Sequence, residues 1–332
     1  MGRRTLINAF RDQYTRVPPV VQADLKGKTV VIVGANTGLG FEAAQHFARM
    51  GAGKLILACR SLRDATGHTG IELWLVDLAE FSSVKAFADK VLGELGGLDI
   101  LMLNAGVGPG MGGKYEATVD GWENTLQVNA LSGSLLALLL LPHMFETAQR
   151  FNTTPRIVVV SSEVHYWASI EDKVFESPNA FELMGSKEYC TPQQVPYGLL
   201  QMLNIFFTRA LNNRLRSKDV IVNTINPGFC YSELHRNMRG LFVTVFEKLL
   251  ARTAEEGGRL LVWAAVGTPD GDANSVDELR GAYINLAKVE EPAEFVHGES
   301  GKKKEEKLWT DLISTLEGVD PRIKEVVRYY LS

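Results

Sequence analysis

The chain predicts a doubly wound α/β fold: one parallel sheet, helices on both faces, a single domain. Short β-branched and apolar runs alternate with amphipathic stretches without a break from Lys28 to Gly228. The runs are apolar on both faces, as strands of a covered parallel sheet are. The 332 residues, 45% hydrophobic and 22% charged, suffice for one large core. The organisation expected is an extension over 1–26 and one domain over 27–332, carrying an insert at 166–196.

Bulk properties exclude several classes. Net charge is −4 with no basic stripe, so nucleic acid is not an expected partner. Cys59, Cys190 and Cys230 are scattered and odd in number, which argues against a disulfide framework. No metal-ligand spacing occurs, and the six histidines contain no His-x-x-x-His pair, so no metal is expected. Gly-x-Ser-x-Gly is missing, which removes a serine hydrolase. The N-terminus lacks a signal-peptide apolar core, and the run Leu135–Leu141 is too short to span a bilayer. A cytoplasmic protein without a membrane span is the expectation.

Taken in order, Leu6, Ile7, Phe10, Tyr14 and Val17 recur at helical spacing, and Pro18-Pro19 end the segment. The plain reading is a short helix packed on the body; the sharper one is a membrane-surface helix. Thr29 to Val33 follows as a buried strand, then Gly34, Gly38 and Gly40, then Phe41, Ala44, Phe47 and Ala48 at helical spacing. Strand, glycine turn and helix open a Rossmann-type dinucleotide-binding unit. The glycines let backbone approach a pyrophosphate, and the helix N-terminus offers it free N–H groups. Gly34, Asn36, Thr37, Gly38, Leu39 and Gly40 are the residues concerned. Their Gly-x-x-x-Gly-x-Gly spacing resembles the short-chain dehydrogenase/reductase family.

Lys54–Cys59 is a second buried strand, ending in Arg60. An Arg there suits the extra phosphate of NADP, where an acid would suit the ribose of NAD. NADP is therefore expected before NAD, against the alternative of a solvent-facing Arg. The stretch 61–70 is shorter than the helix that relatives place there. Ile71–Leu78 is a third strand; the resemblance implies that Asp77, with Leu78 beside it, meets the adenine. Ser82 to Leu95 reads as a helix capped by Ser82. Ile100–Gly106 is the fourth strand, and Asn104-Ala-Gly106 resembles the family's Asn-Asn-Ala-Gly, with Leu103 for the first Asn.

Gly121 to Gln149 carries a long helical pattern with Asn129 polar inside it. A buried amide needs partners; it ties helix to sheet, or, as the resemblance implies, holds a water of a proton relay. Arg156–Ser162 is the fifth strand, and its end delivers two hydroxyls to the carboxyl edge of the sheet. Glu163-Val-His165 continues as in fungal members. Residues 166–196, with Pro178, Pro192 and Pro196, read as an unstructured lid or binding loop. There Trp167, Phe175, Phe181 and Met184 either line a substrate pocket or form satellite core. Tyr197 opens a helix running to Leu211, and Val220–Gly228 is the sixth strand. Pro227, Gly228 and Ser232 resemble the family's Pro-Gly-x-x-x-Thr/Ser, which grips the nicotinamide end. Helical segments are expected near 240–250 and 255–266, a last edge strand at Ala282–Asn285, and a terminal helix with 302–307 on its solvated face.

The resemblance covers residues 25–315 and is to the retinol dehydrogenase-like branch, most like fungal members of natural-product pathways. It implies catalysis by Tyr197, Ser162 and Asn129, with a small hydrophobic substrate and a homodimer. The family lowers the tyrosine's ordinary pKa near 10 with a lysine one helical turn on. Here that position is Gln201, which can hydrogen-bond a ribose but carries no charge. Three functions follow: an NADP(H)-dependent carbonyl–alcohol oxidoreductase with an altered tetrad, a non-redox cyclase, dehydratase or isomerase on the same scaffold, or a silent nucleotide-binding protein.

Overall fold

Alternation along each strand builds the molecule. In a computed structural model, which describes residues 4–60, 70–108, 114–190, 197–231 and 250–332, strand β1 (Thr29–Val33) sends Val31 and Val33 into one apolar core. It sends Val30 and Ile32 into another. Strand β2 (Lys54–Cys59) repeats this, with Ile56 and Ala58 on one side and Leu55 and Leu57 on the other. So does β4 (Ile100–Leu103), which follows β3 (Ile71–Leu75). A sheet buried on both faces reads as an unbroken apolar run for this reason.

With β5 (Arg156–Val160), β6 (Ile221–Asn226), β7 (Tyr283–Asn285) and β8 (Lys288–Glu290), the sheet order is β3-β2-β1-β4-β5-β6-β7-β8. Every pairing is parallel except β7 with β8. The doubly wound, single-domain expectation is met. Ala282–Asn285 is not the edge: Leu286 and Ala287 both take positive φ and reverse the chain into β8.

The helices are α1 (Leu6–Tyr14), α2 (Gly38–Arg49), α3 (Phe81–Glu94), α4 (Asn124–Phe151), α5 (Asp172–Glu176), α6 (Ala180–Gly185), α7 (Tyr197–Arg214), α8 (Ala254–Val266), α9 (Gly298–Val319) and α10 (Arg322–Tyr330). Helices α2 and α8 cover one face of the sheet, and α3, α4 and α7 the other. Helix α4 is long and apolar enough to cross a membrane, but 83% of its apolar window is buried in the protein. A helix apolar all round belongs in a core.

Several expectations are corrected by tertiary packing. Helix α1 forms, but Leu6, Ile7, Phe10 and Tyr14 stand 64, 79, 45 and 68% exposed, so its apolar stripe faces outward and its polar face meets the body. Helix α3 is not capped by Ser82. It starts at Phe81, whose N–H donates to Asp120 at 2.7 Å from across the chain. The insert is not a structureless loop over its described part. Asn179 caps α6 through Phe181 and Glu182 and reaches Thr315 on α9 at 3.0 Å, while Ala180 N–H donates to Asp311 at 2.7 Å. Phe181 and Met184 are buried core, and Phe175 packs against it. The 302–307 run is not wholly solvated either: Glu305 is buried and pairs with Arg209 at 3.1 Å. Most of 61–70 and of the segment expected near 240–250 lies outside the described residues.

Candidate active site

A cleft of about 580 Å³ opens at the carboxyl ends of β1, β2, β4, β5 and β6, within the range of small-molecule and cofactor sites. Its floor is the glycine turn. Gly34 has φ +83°, and a Cβ there would lie 2.6 Å from the Ala105 backbone. Gly40 is pressed as closely: its Cβ would meet Gly34 O at 2.4 Å and the Asn104 amide at 2.6 Å. Asn104 Nδ2 donates to Gly34 O at 2.7 Å and so locks the turn to the end of β4. Gly38 also has positive φ, but open space lies beside it. There α2 begins, and its N-cap residue Thr37 makes no side-chain cap. The first turn of α2 thus starts at the cleft lining with no cap from Thr37, the position at which helices bind anions.

Gly34, Asn36, Thr37, Gly38 and Leu39 all line the cleft. At its far end lie Arg60, exposed, and Asp77 with Leu78. Asp77 Oδ1 accepts from Ala79 N–H at 2.9 Å, and Ser83 holds the Asp77 backbone. Asn104 and Gly106 line the middle, and Pro227 and Gly228 the other end. Gly40 supports the turn from below. Ser232 lies outside the described residues.

Ser162 and Tyr197 come to the same wall. The two serines divide. Ser161 is buried, and its hydroxyl donates to the Gln201 carbonyl at 2.9 Å. Ser162 faces the cleft. Its carbonyl accepts from His165 Nδ1 at 2.7 Å, while His165 Nε2 accepts from Ala293 N–H at 3.1 Å. That pair of bonds requires the neutral ring, and burial pushes His165 down to about 4. Burial pushes the Tyr197 phenol up to about 12. Gln201 is 4% exposed and stands one turn further along α7, outside the cleft lining.

Asn129 sits in a π-helical turn, Gln127–Leu131, inside α4. Its amide donates to Val107 O and accepts from Val107 N–H, both at 2.8 Å, tying α4 to the chain after β4. It borders a cavity of about 20 Å³ beside the main cleft, with Ser134 and Asn204. That volume matches one water with polar partners.

Glu163, which sequence reasoning did not assign to the site, also lines the cleft. Burial pushes its carboxyl up, and Arg4 Nε lies 3.5 Å away. Phe229 and Cys230 were likewise missed, since an apolar residue after Pro-Gly carries no local signal. Among the described residues no cluster of His, Cys, Asp and Glu could hold a metal.

A glycine turn beneath a helix N-terminus, facing a Ser–Tyr pair across the crest of a parallel sheet, defines an oxidoreductase scaffold that binds a dinucleotide. The family description "short chain dehydrogenase" matches residues 28–171. Short chain dehydrogenase/reductase dmxR8 of the fungus Cryptosporiopsis sp. (strain 8999) is 34% identical over 322 residues, 92% of this chain and 95% of that relative. A solved structure from Mycobacterium Paratuberculosis matches with TM-score 0.61 and 27% identity, over 90% of this chain and 95% of the other. The NADPH-bound carbonyl reductase from chicken fatty liver has TM-score 0.58 at 19% identity, over 80% and 99%. This chain belongs to the short-chain dehydrogenase/reductase family and is an oxidoreductase of that type.

Proposed function

We propose that the protein is an NADP(H)-dependent reductase of a carbonyl on a small hydrophobic substrate, one of secondary metabolism. The observation that carries this is the placing of Ser162 and Tyr197 on one wall of the glycine-floored cleft. The cradle fits a dinucleotide: Gly34 and Gly40 permit close backbone approach, and Gly38, where α2 begins, has open space beside it. Arg60 at the far end supports NADP before NAD, because a guanidinium pairs a phosphate where a carboxylate would repel it.

When bound, the nicotinamide supplies a hydride to the carbonyl carbon. Ser162 donates a hydrogen bond to the carbonyl oxygen and orients it. Tyr197 gives that oxygen its proton, so a carbonyl becomes an alcohol. A phenol held near 12 is protonated at neutral pH, which suits a donor and not a base. Gln201 supplies no charge to draw that proton off, so the phenolate needed for alcohol oxidation is scarce at neutral pH. The non-redox alternative draws on the same residue, since Tyr197 lacks its charged helper. Three scattered cysteines, odd in number and without a framework spacing, support a reducing, cytoplasmic setting.

The test is titration with NADPH and NADH, followed by oxidation of NADPH with a panel of ketones and quinones. Binding of NADPH with turnover that Tyr197→Phe abolishes is the expected result. Bound NADPH without turnover, and a product profile unchanged in Tyr197→Phe, would favour non-redox catalysis.

A further inference from the structure

Helix α1 has no buried residue, and its apolar stripe is exposed. Burial of apolar surface therefore does not hold it in place. Side chains on its other face do, and they converge on the cleft. Gln13 Nε2 donates to Phe229 O at 2.8 Å and to Leu250 O at 2.7 Å, and Gln13 Oε1 accepts from Phe229 N–H at 3.0 Å. One amide thus grips both backbone groups of a residue that lines the cleft, as a neighbouring strand would.

Arg252 extends the grip. Its guanidinium donates to Pro227 O at 3.2 Å and to the Asp12 carbonyl at 2.5 Å. It lies against Gly228, where a Cβ would stand 2.2 Å from Nη1 and 3.1 Å from Gln13 Oε1. On the other side Arg4 pairs with Asp12, with Glu163 at 3.5 Å and with Glu290 at 2.7 Å. Asp12 Oδ2 accepts from Asn285 at 3.1 Å. The residues so held, Pro227 to Phe229 and Glu163, flank Ser162 at the end of the cleft opposite Arg60.

We propose that residues 4–16 are a positioning element of the cofactor cleft, with Gln13 as the residue that sets the turn after β6 in its binding conformation. The segment lies ahead of the family match at residues 28–171 and carries none of the motifs read from the sequence. The inference rests on the NADP(H) reading of the cleft. A turn pinned before the ligand arrives avoids an ordering cost on binding, so loosening it weakens affinity without dismantling the core.

The experiment compares wild type with Gln13→Ala, Gln13→Met and Ile7→Ser, the last on the outward face. NADPH affinity is measured by fluorescence, with thermal melting and the split between KM and kcat alongside. Both Gln13 variants remove all three bonds and should weaken NADPH binding by about 3- to 10-fold, since the bonds hold the turn and do not touch the ligand. The loss should appear in cofactor KM more than in kcat, and Ile7→Ser should match wild type. Gln13→Met keeps the side chain's length, so an effect shared with Gln13→Ala assigns the loss to the hydrogen bonds. Gln13 variants that bind NADPH as wild type does, whatever their melting temperature, overturn the proposal. Wild type that fails to bind NADPH overturns instead the cofactor reading on which it stands.

Discussion

Gln201 stands one turn from Tyr197, and in the described structure burial is what moves the phenol, up to about 12. The pH dependence follows from the sign. The donor form of Tyr197 is the protonated one, so reductive kcat/KM should be flat from about pH 6 to pH 9 and fall only near the raised pKa. Alcohol oxidation needs the phenolate and should rise about tenfold per pH unit over the same range. Gln201→Lys places a cation beside the phenol and should lower its pKa by about 1–3 units. The oxidative rate at neutral pH would then rise by at least tenfold; an unchanged pH–rate profile in that variant would contradict the role given to Gln201. At the other end, Arg60→Ala should raise KM for NADPH by about 10- to 100-fold, the worth of a charge-assisted contact, and leave KM for NADH within twofold. The residues that the structure brings together here are those at strand ends. The turn from Gly34 to Gly40, Asn104 and Ser162 all line or support one cleft because each ends a strand of the same parallel sheet.

Elements are decided by a mixture of local and distant partners. Helix α8 is locally written: Thr253 and Glu256 form a full capping box, with Glu256 N–H on Thr253 at 3.1 Å and the reciprocal bond at 2.9 Å. Thr253→Ala should cost about 1 kcal/mol, read as a lower urea midpoint with unchanged slope. The glycine turn is less forgiving. Gly34→Ala forces positive φ on an alanine and pushes its Cβ into the Ala105 backbone at 2.6 Å. A loss of roughly 2–4 kcal/mol and of cofactor binding together is expected. Helix α3 shows the converse case, since Asp120 from a separate stretch supplies the N-terminal bond that Ser82 was expected to make. Helix α1 shows it too. Its spacing of Leu6, Ile7, Phe10 and Tyr14 is a true helical stripe, but spacing cannot say which way a stripe faces.

At the scale of the molecule, the chain wraps its own helices around α4 and α7. Phe207 of α7 stacks on Trp309 of α9 at 6.4 Å, and Phe145 of α4 stacks on Tyr330 of α10 at 5.4 Å. Helix α6 of the insert closes the same side through Asn179 and Asp311. Helices α4 and α7, which carry Asn129 and Tyr197, are the ones through which the family resemblance implies pairing. A second copy would have to displace that cover, so the chain is expected to sediment as a monomer near 36.6 kDa. A species of twice that mass at micromolar concentration would contradict this.

What the sequence determined by itself was the sheet, the order of its strands in the chain, and which residues stand at their ends. Periodicity, glycine spacing and strand-end residues are short-range properties, and the parallel sheet converts them into one crest. Tertiary structure alone decided the outward stripe of α1, the folded insert, the inward Glu305 and the contacts of Arg4, Gln13 and Arg252 with the cleft. Each depends on partners separated by tens to hundreds of residues, and the burial that such partners create leaves no mark in local spacing.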